Sequence, residues 1–194
     1  MQGPSAPGPA VVQQQPAYLP LPLHSVWLTY GILLLNVLLF MLLSLSARIG
    51  FFPAFTEGAD IPTLVAFGAK YNRGILDGET WRLLTPIFLH IGFVHLLFNQ
   101  YALYLFGREV ERLFGTLRFV IIYLLAGLAG SIASFAFSAA VSAGASGAIF
   151  GIIGALTLFF WRNREFLGEA GKQQTRSLLG MIGVNLLLGF TIPG

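Results

Sequence analysis

No cysteine occurs among the 194 residues, which removes disulfides, thiol nucleophiles and thiolate metal sites from consideration. Charge is scarce as well: Asp, Glu, Lys and Arg make up 10% of the chain, against about 25% in an ordinary soluble domain. The formal charge of +3 is too small and too dispersed to track a phosphate backbone, so nucleic acid is excluded as a partner. Residues 1–25 hold six Pro and four Gln but no Lys or Arg. With no basic segment ahead of an apolar core they are not a secretory signal peptide, and they read as a flexible Pro/Gln-rich N-terminal tail.

Apolar residues fill the space that charge leaves. They make up 56% of the chain, with 18 Phe and 23 Gly, and the mean hydropathy is +0.76. A membrane-crossing helix needs roughly 20 apolar residues. Val26 to Leu45 meets this with no charge, and Arg48 follows as a stop. Residues 49–82 mix Pro53, Glu57, Asp60, Lys70, Arg73 and Glu79 with Phe and Trp. They predict a long first loop, partly interfacial and anchored by its aromatics. Further spans are predicted from about His90 to Phe106, Phe119 to Phe137 and Ser146 to Trp161, and from about Leu178 onward. The fold class is therefore all-α, a polytopic membrane bundle with five transmembrane helices, occupying residues 26–194. In the third span Gly130, Ser134 and Ser138 recur every four residues and form a seam for close helix contact.

Lys and Arg concentrate on the cytoplasmic side of membrane proteins. With the N-terminus cytoplasmic, the inner loops hold Arg108, Arg112, Arg118, Arg162, Arg164, Lys172 and Arg176, and the outer ones Arg48, Lys70, Arg73 and Arg82. Seven against four favours this orientation in a multi-pass protein of the cell membrane.

Polar groups inside spans are costly and become candidate functional groups. The second span carries His90, His95, Asn99 and Gln100. His95 and Asn99, four residues apart, lie about 40° apart on one helical face, whereas His90 and His95 diverge by about 140°. Such groups either serve a reaction or bind neighbouring helices together. A second cluster, Gly144-Ala145-Ser146-Gly147-Ala148, opens the fourth span. A Ser at a helix start sits beside unpaired backbone N–H groups, the donors an oxyanion hole requires. The same Ser also reads as an N-cap, with Gly147 and Gly151 as a GxxxG packing face. A zinc site at His90 and His95 lacks both the four-residue spacing and a carboxylate, so no metal or cofactor is expected.

The ordered set Trp81-Arg82, His90, His95, Asn99, then Gly107, Glu111 and Gly115, then Gly144, Ser146 and Gly147, behind a long first loop, resembles the rhomboid family of intramembrane serine proteases from about residue 26 onward. The resemblance implies that Ser146 is the nucleophile and that His95 and Asn99 stabilise the oxyanion, with His90 supporting. It implies structural roles for Trp81, Arg82 and Glu111. Substrates would be single-span transmembrane proteins, cleaved within the lipid bilayer. The family's general base is a histidine on a sixth span, and no histidine follows Ser146. The expectation is a chain truncated at its C-terminus, inactive alone because an unactivated Ser is a weak nucleophile. There are two rival readings: an inactive rhomboid-like protein that binds transmembrane clients, and a transporter or channel, which would show internal repeats or charged residues in its spans, and the sequence has neither. The oligomeric state is not readable.

Overall fold

The computed structural model describes residues 23–191, with side chains described to residue 184. Up to residue 22, the expected N-terminal tail lies outside the described residues. Among these residues the chain is all helical, and its sole β-type pairing is an isolated antiparallel bridge between Lys70 and Ser142.

α1 (Leu28–Ser46) is an unbroken apolar run, and no side chain of its own caps its N-terminus. The cap comes from elsewhere in the chain. Glu111 accepts the backbone N–H groups of Trp27 (3.3 Å), Leu28 (3.0 Å) and Thr29 (2.8 Å), together with the Thr29 hydroxyl (2.7 Å). A carboxylate at the positive end of a helix dipole is a favourable arrangement. Burial alone would raise the Glu111 pKa, but hydrogen bonds from Thr29, Leu28 and Thr116 outweigh it and hold the carboxyl below its ordinary value.

The segment expected to be a loop contains three short helices, α2 (Phe51–Thr56), α3 (Ile61–Ala66) and α4 (Asn72–Leu76). Asp60 caps α3 by accepting the Thr63 N–H (3.1 Å) and also accepts the Arg48 N–H (3.0 Å), so one side chain ties the loop back to the end of α1. Phe55 stacks on Phe93 at 5.0 Å and meets Phe40 at 5.4 Å. The loop is thus packed onto the helices rather than hanging from them.

Two 3₁₀ turns, Thr80–Leu83 and Thr85–Phe88, lead into the second apolar stretch. Its helix starts at Phe93, later than the His90 expected from the sequence. Ile91 O accepts the Ala59 N–H (3.2 Å), so the backbone here bonds to the first loop instead of starting a helix. α5 (Phe93–Ala102) runs through a π-helical stretch, Leu103–Gly107, into α6 (Arg108–Phe114). Asn36 donates to Gln100 (3.2 Å), and Gln100 donates to Leu33 O (2.6 Å), which binds this helix to α1.

α7 (Thr116–Phe137) and α8 (Ser146–Arg162) form the closest helix pair. A methyl group on Gly147 would lie 3.1 Å from the Gly130 Cα, and one on Gly151 would lie 2.1 Å from the Ala126 Cβ. The glycines therefore let two backbones meet. α8 is central, with Ile152 and Ala148 fully buried and Ile149, Ile153 and Leu156 nearly so. α9 (Arg164–Thr191) bends at Gly168, where φ is 60°. α1 and α7 are long and apolar enough to cross a membrane, and α8 is a shorter apolar helix.

Candidate active site

α8 begins at Ser146, which follows Gly144 (φ 149°) and Ala145. The first residue of a helix sits among N–H groups that have no intrahelical acceptor. Ser146 is exposed, and its Oγ forms no hydrogen bond with any described residue. It is a free hydroxyl at the positive end of a helix.

Facing it, α5 contributes His95 and Asn99. Together with Ser146, Tyr101, Phe150 and Met181 they line a cavity of about 520 Å³ between α5, α8 and α9. The His95 imidazole rests on Gly144: a methyl group there would fall 2.6 Å from Cε1 and 2.8 Å from Nε2. The Asn99 amide donates to His95 O at 2.9 Å, an ordinary bond within its own helix that a ligand in the cavity would compete for. The structure thus brings Ser146, His95 and Asn99 together around one space, with Gly144 against the His95 ring.

His90 does not line that cavity. It is fully buried, its ring centroid lies 5.5 Å from that of His95, and neither ring nitrogen has a hydrogen-bond partner among the described residues. The divergence expected for His90 and His95 assumed a single helix. Because the helix starts at Phe93, the imidazoles are neighbours instead.

The other motif residues lie further off. The Arg82 guanidinium donates to Val65 O at 2.6 Å, pairs with Glu79 and sits 4.3 Å above the Trp81 ring, so this pair fastens the first loop. Gly107 packs closely against Leu103 and Thr29, and Gly115 (φ 81°) against His24. With Glu111, they join α1 to the turn between α6 and α7. None of the three touches the cavity.

Behind Ser146 is a second cavity of about 230 Å³, bordered by Ser131, Ser134, Ser142, Gly130 and Gly144. Ser134 and Ser142 share a hydrogen bond of 2.9 Å between their hydroxyls, and Gly144 N–H donates to Pro86 O at 2.9 Å. Nothing in the sequence singled out Ser131, Ser142 or Pro86. Ser134 appeared only as one of a row of small residues. Small side chains at helical spacing carry no mark of whether they face a helix or a polar void.

Comparison with known proteins decides the family. A model of the Rhomboid domain matches residues 77–194. The chain belongs to the rhomboid family. This rhomboid is 48% identical over 165 residues to Rhomboid protease GluP of Bacillus subtilis, an alignment covering 84% of this chain and 30% of that protein. It is 38% identical over 136 residues to RHOMBOID-like protein 5 of Arabidopsis thaliana, covering 69% and 44%. It is 34% identical over 139 residues to Rhomboid-like protease 1 of Toxoplasma gondii, covering 68% and 45%. The chain therefore spans less than half the length of each of these relatives.

Proposed function

We propose that this rhomboid is a serine endopeptidase that cleaves transmembrane segments of single-span membrane proteins. The observation that carries the reading is the single cavity shared by the unbonded Ser146 hydroxyl, His95 and Asn99. The names of the relatives GluP and Rhomboid-like protease 1 support it.

In this reading Ser146 Oγ attacks the scissile carbonyl as a base removes its proton. The negative charge that develops on the carbonyl oxygen is met by the N–H of Ser146 at the start of α8. Asn99 meets it too, once its amide turns from His95 O into the cavity, and so does the His95 imidazole resting on Gly144. Donors already in place require little reorganisation as the charge forms, which is why removing one typically costs about 2.7–4 kcal/mol. His24, His90 and His95 all precede Ser146. The Ser–His dyad reading takes its base from a histidine beyond Gly194, on a sixth span that completes the five proposed here. With the N-terminus cytoplasmic, Ser146 opens outward. Support for that topology comes from Arg118 and Arg162, which share one trough where α7 starts and α8 ends, opposite Ser146.

The test uses the chain with its downstream sequence, reconstituted in vesicles with a single-span substrate. Ser146→Ala is expected to abolish both cleavage and labelling by a fluorophosphonate probe. Asn99→Ala is expected to slow turnover by about a hundredfold or more. Cleavage that persists in Ser146→Ala would show that another group is the nucleophile. Labelling without cleavage of any transmembrane substrate would favour a protein that binds clients instead.

A further inference from the structure

Lys70 is a lysine buried among neutral oxygen acceptors. It lies between α3 and α4, is fully buried, and has no carboxylate partner among the described residues. An isolated buried charge is strongly disfavoured unless its protons are all met. Here they are met by oxygen dipoles: Nζ donates to Ala140 O (2.7 Å), Ser138 O (2.8 Å) and Asn72 Oδ1 (2.9 Å), with Ser134 O at 3.3 Å.

Those carbonyls come from the last turn of α7 and the chain just beyond it. A helix C-terminus leaves four carbonyls without intrahelical donors and carries the negative end of the dipole. Asn72 adds to the cap by donating to Phe135 O (3.2 Å) and Ser138 O (3.1 Å). The backbone of Lys70 holds the same stretch. Its N–H donates to Ser142 O (2.9 Å), and its carbonyl accepts the Ser142 N–H (3.1 Å). One residue of the first loop therefore grips residues 138–142 with both side chain and main chain. Ser142 in turn lies two residues before the Gly144 that supports His95, and four before Ser146.

We propose that Lys70 is a positioning residue for the reaction at Ser146, a cationic cap on α7 that fixes the 138–144 linker and so sets how α8 presents the serine hydroxyl. The proposal rests on the Ser146 reading above. Lys70 touches neither the cavity nor a reacting atom and acts through the linker. The positive charge is essential to the role. A Met of similar length would fill the same space but leave Ala140 O without a donor and take the cation away from Ser138 O and Ser134 O, which keep only the Asn72 amide and the Ser138 N–H.

The absence of cysteine from the chain permits a direct test. Ala143→Cys places a single thiol in the linker, where the side chain is partly buried, and its rate of maleimide labelling in membranes reports how firmly the linker is held. Adding Lys70→Met is expected to speed that labelling about tenfold, since labelling follows local opening. In the full-length protein without the thiol, Lys70→Met is expected to lower kcat about tenfold with KM within about twofold, and Lys70→Arg to recover part of kcat by keeping the cation. Asn72→Ala, which removes two cap bonds and one Lys70 partner, is expected to shift both readings in the same direction by less. It carries the test if Lys70→Met fails to fold. Unchanged labelling, or faster labelling with unchanged kcat, overturns the proposal. An inactive parent protein would refute the catalytic reading of Ser146, and with it the positioning role. The labelling rate would still decide whether Lys70 holds the linker.

Discussion

A methyl group at Gly144 has nowhere to go, because the His95 ring already occupies the position where a Cβ would project. The φ of 149° adds strain for any residue with a side chain. Gly144→Ala is therefore expected to push His95 away from the serine and slow fluorophosphonate labelling of Ser146 about tenfold or more. Gly154 is the control. It lies on α8 where an added methyl would meet no atom within 4 Å, and Gly154→Ala is expected to leave labelling within about twofold of the parent. Equal effects from the two changes would show that His95 does not depend on Gly144. At this scale the sequence was informative about chemistry. Ser146, His95 and Asn99 are polar groups in apolar runs, where each needs a reason to be present. It was silent about Lys70, which looks like any loop lysine until the fold surrounds it with carbonyls.

At the scale of elements, joints between helices rest on single buried groups. Glu111 caps α1 from another helix, and its lowered pKa ties that joint to pH. A carboxyl whose folded pKa lies below its unfolded value near 4.5 contributes stability above that value and loses it as the pH falls through the folded one. Thermal unfolding in detergent is expected to show a Tm that drops on acidification below about pH 4.5. Glu111→Gln is expected to lower the Tm at about pH 7 and flatten the acid dependence, because a neutral amide has no proton to gain. A variant as acid-sensitive as the parent would place the titrating group elsewhere. The boundaries of α7 and α8 were legible to within a few residues, since long apolar runs ended by small or charged residues leave little choice. The start of α5 was not. Its position depends on Ile91 O bonding to Ala59, a partner 32 residues away. The first loop was likewise more structured than its mixed composition suggested, because Asp60 and the Phe55 contacts fold it locally.

For the whole molecule, the distribution of arginine predicts topology. Arg112 O accepts the His24 N–H, and Phe114 meets Phe159 at 5.8 Å, so the start of α1, the α6–α7 turn and the end of α8 share one end of the bundle. Lys70, Ser142 and Ser146 lie at the other. Reporter fusions are expected to place residues 115 and 163 in the cytoplasm and residue 140 outside. Inverted reporter signals would place Ser146 at the cytoplasmic side instead.

The amino-acid sequence by itself determined that this chain is apolar, helical and membrane-seeking, and which polar residues interrupt its spans. Those are consequences of composition and short-range periodicity, which any reading of the chain can count. Only the tertiary structure decided which of these residues meet. Ser146 and His95 are 51 positions apart, and Lys70 and Ser142 are 72 apart. Pairings at that distance depend on how helices pack, and helix packing is set by many weak contacts at once rather than by any local pattern.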